Sequence, residues 1–161
     1  MRQSAIRLLV NSAIVGASVL MTVTGGAFAA KPALVASYGD LTPFSKRLDI
    51  TFANGFGNGT FIVPAGQLLV IDYISADAGV PPGGNILMDV ATYLNGNEVE
   101  SHLPMTNQGV ILGQQVYTTS SPMHIYADAN STVTIAFLNT PTSGSGGAIV
   151  GIYGHLVPTV P

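Results

Sequence analysis

The sequence predicts an all-β protein, an antiparallel β-sandwich of jelly-roll type preceded by a signal peptide, and three observations carry that prediction. Apolar and polar residues alternate with a period of two in one segment after another, as half-buried strands require. Turn-forming residues recur about every 8 to 12 positions, the spacing of a sandwich or jelly roll and not of alternating βα units. Glu, Lys and Arg, which favour exposed helix, are scarce: charged residues make up 8% of the chain, and no helical period follows the leader.

The chain opens with Met1-Arg2-Gln3-Ser4-Ala5-Ile6-Arg7, continues through an apolar stretch from Leu8 to Val23 and reaches Ala27-Phe28-Ala29. Two cations, an apolar run of roughly 15 residues and small residues at the cleavage position are the parts of a signal peptide, with cleavage expected after Ala29. The run is shorter than the roughly 20 residues that span a bilayer and is interrupted by Asn11 and Ser12. The expected organisation is therefore a signal peptide over 1–29 and a single β-sandwich domain over 30–161, exported to the periplasm or the extracellular space. No stable membrane insertion is expected once the signal is removed.

Loss of Arg2 and Arg7 leaves Lys31, Lys46 and Arg47 as the basic residues, against all 8 acidic ones. Phosphate backbones and anionic membrane surfaces both need clustered cations. Nucleic acid is therefore excluded as a partner. With no cysteine there is no disulfide, thiolate zinc site, iron–sulfur cluster or cysteine nucleophile. The fold must rest on packing, for which about 130 residues suffice. No motif calls for a cofactor.

Lys31 to Thr42 reads as an arm or short edge strand. In Arg47–Phe52 the residues Leu48, Ile50 and Phe52 share one face. The tract Asn54–Gly59 reads as a glycine-rich loop; it lacks the Lys-Ser/Thr of a phosphate loop. Strands follow at Thr60–Val63, Leu68–Ile74 and Ile86–Leu94, and Asn95-Gly96 joins the last of these to Glu98–Leu103 in a two-residue hairpin. Pro104 stops that strand. Further strands are expected at Val110–Leu112, Gln114–Thr118, Met123–Tyr126, Thr132–Leu138 and Ala148–Tyr153, with Thr142–Gly147 as a flexible loop.

Strand parity supplies the candidate binding residues. Glu98, Glu100 and His102 fall on one face of their strand, and His124, Tyr126 and Asp128 on one face of theirs. If the two strands were neighbours, two imidazoles and three carboxylates would meet in a set suited to a divalent metal. If they are not, the same residues are the solvent faces of strands whose other sides, Val99 and Leu103 or Met123 and Ile125, enter the core. The His-x-His of a metal-binding cupin barrel is missing, and His155 reads as an isolated surface residue. No serine stands in a Gly-x-Ser-x-Gly elbow of strand-to-helix type. Asp72 and Asp89 lie in apolar strands and are expected to face outward or accept a backbone amide. Tyr93, Tyr117, Tyr126 and Tyr153 are available as stacking platforms for a sugar ring, and equally as cross-strand partners. Asn58-Gly59-Thr60 and Asn130-Ser131-Thr132 are glycosylation sequons.

The segments Val63–Ala76 (VPAGQLLVIDYISA) and Tyr126–Thr134 (YADANSTVT) resemble those of small exported bacterial β-sandwich proteins of uncharacterised function. The resemblance implies a bacterial periplasmic or extracellular setting and no enzymatic activity. The expected function is non-enzymatic, a binding or surface-structural role; the alternatives are a jelly-roll metal-dependent enzyme or binder built on His102 and His124, and a carbohydrate-binding module. Few charges are available to protect sheet edges, so self-association through an edge is also expected, alongside a carbohydrate or protein ligand.

Overall fold

The structure, a computed structural model, describes residues 41–140 and 145–159. The expected signal peptide, the arm before Thr42 and the start of the Thr142–Gly147 tract lie outside these residues. Nine strands are described: β1 (Thr42–Phe52), β2 (Phe56–Ile62), β3 (Gln67–Val80), β4 (Asn85–Leu94), β5 (Asn97–Leu103), β6 (Thr106–Ile111), β7 (Gln114–Ala127), β8 (Thr132–Thr140) and β9 (Gly146–Pro158). They form two antiparallel sheets, a five-stranded one ordered β1-β9-β3-β7-β6 and a four-stranded one ordered β2-β8-β4-β5. The all-β, two-sheet architecture expected from the sequence is present.

One core lies between the sheets, because each strand turns alternate side chains toward it. From the five-stranded sheet come Ile50, Phe52, Leu69, Ile71, Ile74, Val150 and Ile152, and from the four-stranded sheet Phe61, Met88, Val90, Val133, Ile135 and Phe137. Phe52 and Phe137 meet across the interface with ring centroids 5.3 Å apart, and Phe44 stacks on Phe61 at 5.6 Å. Tyr117, also inward, donates a hydrogen bond to the Gly84 carbonyl at 2.7 Å and so ties β7 to the segment entering β4.

Turns fall where local chemistry permits φ above zero. Asn95-Gly96 (φ 53° and 75°) joins β4 to β5, as expected of a type I′ hairpin. Asn54-Gly55 (φ 53° and 80°) makes a second such turn, closed by paired backbone bonds between Ala53 and Phe56, and carries the chain from one sheet to the other. The tract after it is a strand, not the expected loop: Gly57 and Gly59 face inward, where a Cβ on Gly57 would fall 2.4 Å from Phe52. These glycines serve close packing under β1.

Four further differences from the sequence reading follow. Gln114–Thr118 and Met123–Tyr126 are parts of one strand, β7, which tolerates Pro122 because β6 pairs only with its first half and leaves that side free. Leu112 is the exposed first residue of a Leu-Gly turn (φ 50°) and not a strand residue. Gly146 and Gly147, expected in a loop, pair with Phe52 and Thr51 at the start of β9. Val99, expected in the core, is 43% exposed on the edge strand β5, whereas Leu103 is buried and Met123 and Ile125 pack partly buried against the core.

The central strand of the large sheet, β3, changes phase once. Its register shifts between Ile71 and Tyr73 against both neighbours: Asp72 is the extra residue of a β-bulge against β9, while β7 covers the same step with Met123 and His124 opposite Asp72. Leu69 and Ile71 point inward before it, and Ile74, Ala76, Ala78 and Val80 after it. Gly154 of β9 makes room for the bulge, since a Cβ there would lie 1.9 Å from the Val70 carbonyl oxygen. Gly154→Ala is expected to destabilise the fold by about 1–3 kcal/mol or more through overpacking, and Phe137→Ala by about 3–5 kcal/mol through the cavity it leaves. Urea denaturation checks both, and an unchanged midpoint for Gly154→Ala would contradict the close approach.

Candidate functional site

The register of the five-stranded sheet arranges its outward side chains in rows. Pro43, His155, Val70 and Tyr126 form one; Ser45, Tyr153, Tyr73 and Pro122 the next; Arg47, Gly151, Ser75 and Ser120 a third; Asp49, Ile149, Asp77 and Thr118 a fourth. The bulge is what aligns Tyr73, Ser75 and Asp77 with their partners on β9 and β7. It also projects Asp72 beside two histidines: His155 Nδ1 donates to Asp72 Oδ2 at 2.7 Å, and His124 Nδ1 lies 3.5 Å from Asp72 Oδ1. His155 is thus held in place by a carboxylate and is not the isolated surface residue expected. Asp72 faces outward, and its partners are imidazoles and not a backbone amide.

Below this cluster the surface is aromatic and then polar. The rings of Tyr73 and Tyr153 are 6.0 Å apart and tilted by 50°. Tyr73 Oη is hydrogen-bonded to Ser120 Oγ across the β3–β7 pair. Arg47 donates to Asp49 through Nη2 at 2.8 Å and Nε at 3.2 Å. A depression of about 290 Å³ lies over Gly151, bounded by Lys46, Arg47, Ser75, Asp77, Ile149 and Tyr153. It shares Asp77 and Ile149 with a second, of about 450 Å³, that continues over Gly79 and Gly147. Glycines on both strands form the floor of this trough.

His102 and His124 do not meet, because β5 belongs to the four-stranded sheet and β7 to the five-stranded one. Glu98, Glu100 and His102 share the outer face of β5 as parity requires, but their cross-strand partners are on β4: His102 stands opposite Asp89 and Glu100 opposite Ala91. His102 Nδ1 is 2.5 Å from Asp89 Oδ1. Asp89, Glu100 and His102 are the one trio among the described residues whose donor atoms converge within 4.8 Å. Two carboxylates and an imidazole are donors a divalent cation accepts, but His102 is 77% exposed and its Nδ1 is already engaged by Asp89. The arrangement is an exposed imidazole hydrogen-bonded to a largely buried carboxylate.

His124 and Tyr126 lie on the outer face of β7 as expected, but Asp128 does not follow them, because the strand ends at Ala127. Asp128 sits in the turn before β8. Its amide donates to the Tyr93 carbonyl at 2.8 Å, its carboxylate accepts the Gly96 amide at 3.2 Å, and its carbonyl accepts Ser131 Oγ at 2.7 Å. It ties two turns together. Of the tyrosines, Tyr117 is buried and serves the core, Tyr93 is on the outer face of the other sheet, and Tyr126 and Tyr153 share the face described above. The reading of single strands missed Tyr73, Gly151 and the Asp72–His155 contact, whose partners are 83 residues apart and carry no spacing signal.

Compared with models of protein families and with curated proteins, the chain matches none.

The His102 pKa is raised above its ordinary value by the hydrogen bond to Asp89, then by the charges of Asp89 and Glu100. A folded-state pKa above the unfolded one means that this contact contributes stability in full below the unfolded pKa and loses it as pH rises through the folded value. An NMR titration of the His102 ring is expected to show a midpoint above the usual ~6.5 that falls back in Asp89→Asn. An ordinary midpoint in the unsubstituted protein would contradict the contact.

Proposed function

We propose that this protein is an exported, non-enzymatic β-sandwich of jelly-roll type that acts as a binding module through the outer face of its five-stranded sheet. The pairing sequence β1·β9, β2·β8 and β3·β7 supports the jelly-roll reading, since it is that of one long antiparallel hairpin rolled into two sheets. The apolar leader with its Ala27-Phe28-Ala29 site supports export. The observation that carries the binding reading is the outward grid itself: paired tyrosines, a histidine–aspartate cluster and a glycine-floored trough share one face.

A non-catalytic role is supported by the chemistry of the Asp72–His155 pair. Among the described residues no serine or threonine hydroxyl hydrogen-bonds to His155, so the pair orients an imidazole without activating a nucleophile. Binding to isolated bacterial cell envelopes tests the reading. Ser75→Arg, which puts a long charged side chain in the trough, is expected to reduce retention at least tenfold, while Thr134→Arg on the other sheet leaves it unchanged. Equal retention of the two variants would overturn the assignment of this face.

A second reading, self-association in a surface assembly, is favoured by one edge. All six residues of β6 are exposed and none is charged, and Val110, Ile111 and Leu112 are 58%, 50% and 100% exposed. Sedimentation velocity is expected to show a concentration-dependent larger species that Ile111→Lys abolishes; a strictly monomeric protein at high concentration would contradict it.

A further inference from the structure

Resting on the binding reading, we propose that Tyr153 and the trough beside it form a subsite for a neutral sugar ring. The geometry of one side chain is the starting point. A Cβ on Gly151 would lie 2.9 Å from Tyr153 Oη and 3.0 Å from Tyr153 Cε2, so the phenol ring reclines along β9 over the glycine instead of standing off the sheet. The end of the ring thus rests on the sheet, and Tyr153 is 48% exposed, which leaves aromatic surface open to a ligand. An exposed, flat aromatic face is what the C–H side of a pyranose stacks on, because burial of apolar hydrogens there leaves the ring hydroxyls free to bond at its rim.

The rim is equipped for those hydroxyls. Ser75 Oγ is 3.0 Å from the same Cβ position, next to the ring, and Asp77 and Arg47 border the same depression. Asp77 accepts hydrogen bonds, Arg47 donates them and Ser75 does both, which matches a hydroxyl that is donor and acceptor at once. Tyr73 closes the side toward β7, its hydroxyl fixed by Ser120.

Charge selects among sugars. Lys46 and Arg47 stand against Asp77 and Asp49, the latter paired with Arg47, so the charges around the depression balance and the site has no net positive charge to draw a carboxylate or phosphate. At about 290 Å³ the depression is at the lower bound of small-ligand sites, ~300 Å³, and suits a single ring of a longer chain that follows the trough. The ligand is therefore a neutral oligosaccharide, and acidic glycans are disfavoured.

The test is an array of neutral and acidic glycans, followed by calorimetric titration of the full mature protein with cellohexaose, xylohexaose, maltohexaose and polygalacturonate. Binding of at least one neutral glycan is expected, at least tenfold weaker in Tyr153→Ala, within about threefold of the original in Tyr153→Phe and unchanged in Tyr93→Ala. Rescue by phenylalanine separates loss of stacking from loss of folding. No bound neutral glycan, preference for acidic ones, or indifference to Tyr153→Ala would each overturn the inference. Envelope retention that stays sensitive to Ser75→Arg but survives periodate oxidation of the envelopes would overturn it while leaving the binding face intact; retention indifferent to Ser75→Arg removes the face itself.

Discussion

Strict alternation along β3 would send Tyr73, Ser75 and Asp77 inward once Leu69 and Ile71 had been buried, and would expose Ile74 and Val80. Burying the Asp77 carboxylate without a partner is costly, and so is returning two large aliphatic side chains to water. Asp72, the residue that β3 has in excess of β9, removes the conflict by resetting the phase of β3. Ile71 and Ile74, three apart, both end fully buried. Core and outer face of the large sheet therefore have a common origin, and the bulge that reconciles them is also where Asp72 meets His155 and His124.

The neighbouring strands are adapted to that displacement. Gly154 lets β9 approach where the chain of β3 swells, and Pro122 occupies the half of β7 that has a partner on one side only. Gly151 allows Tyr153 to lie across the sheet. Each of the two glycines is tied to one close approach.

Much of the fold was legible because strand formation is local. Leu48, Ile50 and Phe52, or Val133, Ile135 and Phe137, announce their buried face by period alone, and Asn95-Gly96 specifies its turn. What sequence could not supply was adjacency. His102 and His124 are each on the face that parity assigned, yet they stand on different sheets, because strand order depends on the crossovers and not on either segment. Asp128 failed for a smaller reason, the end of a strand one residue earlier. The Asn54–Gly59 tract misled because glycine signals a turn and a tight packing contact with the same letter, and both occur there. The bulge left no local mark beyond an aspartate in an apolar run.

The sheet edges differ in the same physical terms. β1 carries Lys46, Arg47 and Asp49, and β5 carries Glu98, Glu100 and His102, charges that discourage pairing with another strand. β6 carries none. The measurement that bears most directly on the phase change in β3 is a methyl nuclear Overhauser spectrum of the isotope-labelled protein. The methyl groups of both Ile71 and Ile74 are expected to show cross-peaks to side chains of the opposite sheet, such as those of Val90 and Ile135. Cross-peaks from Ile71 alone, with Ile74 facing solvent, would contradict the bulge and with it the outward placement of Tyr73, Ser75 and Asp77.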